Sequence, residues 1–197
     1  MDSVAFVLGN GTSRASLELK NLRGKGTIYG CNAIYRDFDP DYIIAVDTKM
    51  VLELNKHNVQ HRVSTWTNQN RSYQKLVGFN FFNPSKGWSS GPTALWKACK
   101  DEHKIVYIFG FDYVGLNNNT LVNNLYAGTQ NYKKEHERAT YHNNWLKQTI
   151  ITIQAHPEIQ FYRVTAENGE FIPEAFSNLS NLDHIGMQDF KDFYDIL

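Results

Sequence analysis

Two uninterrupted apolar runs constrain the fold of this chain more than any other feature. They are Val4-Ala5-Phe6-Val7-Leu8 and Ile105-Val106-Tyr107-Ile108-Phe109, and each stops at a glycine, Gly9 or Gly110. A strand that is apolar at every position, rather than at alternate ones, is covered on both faces, which is the situation of a strand inside a parallel sheet. Parallel neighbours need long crossover connections, so helices are expected between the strands.

The rest of the chain supplies them. Thr27–Gly30, Tyr42–Val46 and Gln160–Val164 read as further strands, with short ones expected at His61–Ser64, Leu76–Val77 and Phe79–Phe82. Leu17, Leu19 and Leu22 fit a short helix capped by Thr12 or Ser13, and Met50, Val51 and Leu54 fit another capped by Asp47 or Thr48. Ser89-Ser90-Gly91-Pro92 opens a third, with Pro92 expected at its first position. A long helix is expected from about Lys134 to Ala155. Tyr113–Tyr132 has little periodicity and six asparagines, and an irregular stretch of that length in a compact domain points to function. The expected fold is α/β: a Rossmann-like, three-layer arrangement with a mostly parallel sheet, helices on both faces and a C-terminal helical tail.

Charge divides the chain in two. The 20 basic and 20 acidic residues balance overall, which argues against a global nucleic-acid binder. Residues 166–197 nevertheless hold seven acidic side chains against Lys191, a net of −6, so residues 1–165 carry +6. Residues 1–165 are therefore expected to form a domain that handles an anion, the alternative being that the acidic stretch docks on it and neutralises it. Residues 166–197 are expected to pack on it or on a second copy, through the apolar stripe Phe190, Phe193, Tyr194 and Leu197. Cys31 and Cys99 make neither a disulfide framework nor a zinc pattern. No run approaches the ~20 apolar residues needed to span a bilayer, and the N-terminal run lacks the basic flank of a signal peptide. A cytoplasmic protein is expected.

In open parallel sheets ligands bind outside the carboxyl ends of the strands, so residues just after strands are the candidates. Gly9, Asn10, Gly11, Thr12 and Ser13 follow the first run; glycine allows a tight turn and close approach, and amides at a helix start suit a phosphate. Arg14 stands where a dinucleotide fingerprint has its third glycine, and the glycine-lysine-serine ending of a P-loop is missing. An ordinary strand-to-helix turn is the alternative. Asn32 could read a base or ribose through its amide, or cap a helix. Asp47 could accept ribose hydroxyls, or cap the helix after it. Ser89, Ser90 and Gly91 could form a second anion-friendly helix start, or a plain cap. His136 and His142 are six apart and so do not share a helix face as zinc ligands would; His142 at a cleft mouth could serve as a general base.

Taken in order, these pieces resemble the bacterial sialyltransferases of glycosyltransferase family 42. They also resemble the pterin diphosphokinase family typified by the archaeal MptE protein, and small phage-encoded proteins look similar. The likeness covers roughly residues 4–165. The first resemblance implies a Rossmann-like domain binding a nucleotide sugar without a metal. Asn10, Gly11 and Ser13 match that family's nucleotide loop with Thr12 replacing proline, Asn32 matches its Cys-Asn motif, and Ser90 and Gly91 match its Thr-Ser-Gly motif. It further implies His142 as general base and Tyr126, with Tyr113, as lid tyrosines that stabilise the leaving phosphate. The family's arginine before Thr-Ser-Gly is missing, the nearest cation being Lys86, and its second lid tyrosine falls on Val114 beside Tyr113. The second resemblance implies ATP-dependent pyrophosphoryl transfer with magnesium, using Asp47 and Asp112. A non-catalytic binding or assembly protein on the same fold is the remaining alternative.

Overall fold

The computed structural model describes residues 3–73, 75–140, 142–167 and 171–196. Its centre is an eight-stranded sheet in which every pairing is parallel. The strands are β1 (Val4–Leu8), β2 (Thr27–Cys31), β3 (Tyr42–Ile44), β4 (Ser64–Asn68), β5 (Asn80–Phe82), β6 (Ile105–Phe109), β7 (Gln160–Thr165) and β8 (Leu182–Gly186). Their spatial order is β5-β4-β3-β2-β1-β6-β7-β8. The two apolar runs, β1 and β6, are thus direct neighbours at the middle, in register from Val4 opposite Ile105 to Leu8 opposite Phe109.

Both faces are covered, as continuous apolar strands require. Phe6 and Leu8 pack on one face with Met50 and Leu54 of α1 (Thr48–Lys56) and Phe190 of α5 (Met187–Phe193). Ala5 and Val7 pack on the other with Ala94, Leu95 and Ala98 of α2 (Ser90–Lys100) and Ile153 of α4 (Asn143–Gln154). This is the expected three-layer Rossmann-like α/β architecture. No helix among the described residues is long and apolar enough to cross a membrane.

Several local expectations are corrected. Leu17, Leu19 and Leu22 are buried, but they stand on or beside two short 3-10 turns, Thr12–Arg14 and Leu19–Leu22, instead of one helix. Helix α2 begins at Ser90, so Pro92 is its third residue, still in the first turn where a missing amide costs nothing. The region 61–84 contains β4 and β5 but no strand at Leu76–Val77, and Val59–His61 is a 3-10 turn. β4 carries no apolar pattern because its inward side chains are Thr65 and Thr67, both fully buried yet polar. The long helix starts only at Asn143; the charged stretch from Lys134, with Glu135, His136 and Arg138, is irregular because it has no apolar stripe to bury. Tyr141 lies outside the described residues. Leu116–Asn119 (α3) is a single turn interrupted by left-handed Asn117 and Asn118.

The acidic C-terminal stretch is no appendage to a finished sheet. It contributes β8, paired with β7 from Phe161 opposite Leu182 to Thr165 opposite Gly186, so the described part of 166–197 extends the sheet that 1–165 builds. Phe190 is fully buried, with Phe109 and Tyr107 rings edge-on at 4.9 and 5.2 Å between centroids. Phe193, on the same expected stripe, is 74% exposed, and Leu197 lies outside the described residues. Phe190→Ala should therefore cost about 3–5 kcal/mol in urea denaturation, whereas Phe193→Ala should stay within about 0.5 kcal/mol.

Candidate functional site

Strand order reverses between β1 and β6: from β1 the chain builds outward to β5 on one side, then returns to start β6 on the other. Loops diverge at such a switch point and leave a crevice at the carboxyl ends of the two strands. A cavity of about 390 Å³ lies there. It is lined by the turns after β1 (Gly9–Gly11), β2 (Cys31, Asn32) and β6 (Gly110–Val114), by Asp47, by the start of α2 (Ser89–Pro92), by part of the asparagine-rich loop, and by His142 and Trp145. A second lobe of about 320 Å³ adjoins it beside Thr48–Met50, sharing Asn32, Asp47, Asn131 and Tyr132.

The β1 and β6 turns nearly touch. A Cβ at Gly9 would lie 2.6 Å from the Gly110 carbonyl oxygen, so a side chain there is excluded by backbone. Gly110 itself has φ +64°, a conformation that favours glycine. Behind the turns, Asp112 accepts hydrogen bonds from both the Ser13 amide (3.1 Å) and the Ser13 hydroxyl. Asn123 Oδ1 likewise accepts from the Thr12 amide (2.9 Å) and hydroxyl (2.8 Å). The amides expected to meet an anion are thus already met by protein groups, and neither Thr12 nor Ser13 lines the cavity.

Arg14 also turns inward. It is buried, its Nε donates to the Gly9 carbonyl at 2.5 Å, and it braces the turn from beneath. Arg163 of β7 does the same for the other turn, donating to the Phe111 carbonyl at 2.8 Å. Arg14 stands in the stretch after β1 that the sequence singles out, but its inward direction, like that of Arg163, has no local signal, because an inward arginine looks the same as a surface one until the topology is known.

Asn10 is buried and donates to the Cys31 carbonyl (3.4 Å) and the Tyr132 hydroxyl (3.3 Å). Burial pushes the neighbouring Cys31 thiol up to about 12, so it stays protonated. Asn32 has φ +54°, and its buried Oδ1 has no protein partner. Asp47 precedes α1 without making a side-chain capping bond, so its carboxylate is not spent on the helix. Ser90 is buried, and its hydroxyl accepts from the Val46 amide at 3.1 Å, tying the end of β3 to the start of α2. The amides of Ser90 and Gly91 lie in the first helical turn, where no intrahelical carbonyl reaches them.

His142 lines the cavity as the residue preceding α4, edge-on to Trp145 at 5.4 Å. Both ring nitrogens are buried without a protein partner. Burial lowers its pKa, and the nearby Asp112 carboxylate only partly opposes this, so the imidazole is neutral at pH 7 with a lone pair available.

The two expected lid tyrosines part company. Tyr113 lines the cavity, but its hydroxyl donates to Thr149 Oγ1 at 2.7 Å, and burial raises its pKa. Tyr126 does not line it; its hydroxyl donates to Asp37 at 2.7 Å. Tyr132 and Trp145 join Tyr113 in the aromatic part of the wall, and no sequence motif marks them or Asn123, Asn124, Asn131 and Lys133. Their signal was the asparagine density of the loop, which marks a region and not a residue. Lys86 is also elsewhere, 5.1 and 5.3 Å from the ring centroids of Trp88 and Trp96.

Among the described residues no three His, Cys, Asp or Glu side chains gather to hold a metal ion. The all-parallel sheet and the polar crevice at its switch point define a Rossmann-like α/β protein. No family model matches the chain, and comparisons with curated proteins and with solved structures find no match either. Gly9→Ala, which forces a Cβ onto the Gly110 carbonyl, should destabilise the protein by about 1–3 kcal/mol in denaturant titration.

Proposed function

We propose that this chain binds a nucleotide or nucleotide sugar in the switch-point cleft and acts as a sialyltransferase-like glycosyltransferase. The observation that carries the reading is convergence. Gly9–Gly11, Asn32, Asp47, Ser89–Gly91, Tyr113 and His142, from six separate stretches of sequence, all line one cavity. A nucleotide needs ribose acceptors, base-reading amides and phosphate donors together, and Asp47, Asn32 and the start of α2 supply those chemistries side by side.

In the proposed reaction His142 takes the proton from an acceptor hydroxyl as its oxygen bonds to the anomeric carbon of the donor sugar. The bond from that carbon to the phosphate oxygen breaks, and the nucleotide leaves with the electron pair. Charge on the phosphate is met by the first amides of α2 and by Lys133, among the described residues the one lysine or arginine lining the main cavity. Thr12 and Ser13 act from behind, by holding the Gly9–Gly11 turn against Asp112 and Asn123. Tyr113 and Tyr126 act as wall and support, each hydroxyl donating to a protein oxygen.

One observation favours the second reading, magnesium-dependent pyrophosphoryl transfer from ATP: Asp47 and Asp112 line the same cavity. The donor set fits magnesium poorly, because both Asp112 oxygens accept from Ser13, which leaves Asp47 alone. The non-catalytic reading keeps the binding and drops the transfer.

Cytidine monophosphate should bind the wild type in isothermal titration. Asn32→Gly, which keeps the positive φ but removes the unpaired amide, should weaken that binding at least about tenfold. Equal binding by both, or none by either, overturns the reading. His142→Gln should lower transfer by about 10²–10⁴-fold with nucleotide affinity kept. The wild-type acid limb should fall below the ordinary histidine value of about 6.5, since burial depresses the group. Stronger binding with magnesium and a preference for adenine would favour the second reading.

A further inference from the structure

The segment from Asn123 to Lys133 forms one side of the cleft; Asn123, Leu125 and Tyr126 are tied to Thr12, Asn10 and Asp37, and the stretch Thr129–Asn131 is anchored on one buried carboxylate and its ion-pair partner. Glu53 of α1 is 4% exposed. Its Oε1 accepts from the Tyr35 hydroxyl (2.5 Å) and from Arg36 Nε (3.0 Å) and Nη2 (2.5 Å). Its Oε2 accepts from Asn131 Nδ2 at 2.6 Å. Arg36, so fixed, reaches into the same segment: Nη1 donates to Thr129 Oγ1 at 2.7 Å and Nη2 to the Gln130 carbonyl at 3.0 Å. Three consecutive loop residues are therefore held by one ion pair. The next residue, Tyr132, places its hydroxyl where Asn10 Nδ2 and the Ala33 amide both donate to it, each at 3.3 Å.

A buried ion pair is weak support for a fold, because desolvation offsets most of the attraction. Glu53 and Arg36 are nevertheless both committed to the loop, and of the residues they hold Asn131, with Tyr132 next to it in the chain, faces Asn32 and Asp47 across the second lobe. We infer that Glu53 is a positioning residue, which acts through Arg36 and Asn131 to hold the Asn123–Lys133 segment over the cleft and so sets how tightly a ligand is kept there. The inference deepens the nucleotide reading and rests on it. Burial alone would raise the Glu53 carboxyl, but the bonds from Tyr35, Arg36 and Asn131 outweigh it and hold the group below its ordinary value, ionised and able to accept from all three.

The test uses the full chain in two arms. In the first, amide hydrogen exchange is followed without ligand in the wild type, in Glu53→Gln and in Asn131→Asp. The second variant keeps the Arg36–Glu53 pair and tolerates φ +68°, but sets a carboxylate against Glu53. The amides of Gly128, Thr129 and Tyr132, which bond within the segment, should exchange at least about tenfold faster in both variants, with β1 and β6 unchanged. In the second arm, cytidine monophosphate dissociation should accelerate at least about tenfold in both variants. Unchanged exchange at the three amides, or faster exchange spread equally through β1 and β6, overturns the latch. A loosened segment with unchanged dissociation overturns the positioning role. A wild type that binds no nucleotide overturns the reading of the cleft, and this role with it, whatever the exchange pattern.

Discussion

The structure hinges on the contact between the turns that end β1 and β6. With the two central strands parallel and in register, their carboxyl ends arrive side by side, and Gly9, Gly11 and Gly110 let the backbones come within a distance no side chain would tolerate. That approach brings carbonyl oxygens and a carboxylate into a small space. The dipoles are reconciled from below by Arg14 and Arg163, and from the side by the Ser13 amide and hydroxyl on Asp112. Everything that lines the cleft is positioned relative to this junction: Asn10 reaches from it to Cys31 and Tyr132, and the Phe111 ring that follows it packs against Gly91 at the start of α2.

How much of the fold could be read from the sequence follows the chemistry of each strand's inward face. β1 and β6 are apolar at every position, and their bounds match the expectation to the residue. β4 buries threonines, whose hydroxyls make the segment look polar; Thr65 is at home because it donates to the Val63 carbonyl at 3.1 Å. β8, Leu-Asp-His-Ile-Gly in the acidic stretch, is an edge strand with only Leu182 buried, so its sequence carries no strand pattern. Edge strands answer to their one neighbour and to solvent, so a charge count sees an acidic tail where the sheet sees its eighth strand.

The candidate site was legible where backbone conformation demands a residue type, and illegible where only tertiary contact does. Gly9 and Gly11 announce a close turn, and the Ser-Ser-Gly-Pro start of α2 announces a helix end. Nothing local tells that Asp112 will turn back onto Ser13, or that Tyr132 will join the aromatic wall while Tyr126 goes beneath, because those choices are made by groups about a hundred residues away. The expectation that Thr12 and Ser13 face a phosphate rested on a free helix start. A three-residue 3-10 turn with both amides answered by side chains offers neither the dipole nor the donors.

That rearrangement bears on the proposed chemistry through the placement of cations. Arg14 and Arg163 put their Nε donors on backbone carbonyls, and Arg36 pairs with Glu53. Among the described residues Lys133 is left as the one lysine or arginine at the main cavity wall, and it is exposed, where solvent weakens its field. Stabilisation of a leaving phosphate must then come chiefly from oriented amides, whose worth depends on excluding water. In the proposed reaction that exclusion would fall to the segment that forms one side of the cleft. Its hold on Glu53 and the neutral, unbonded imidazole of His142 are thus two parts of one requirement: a transfer site short of fixed positive charge has to be closed and dry to work.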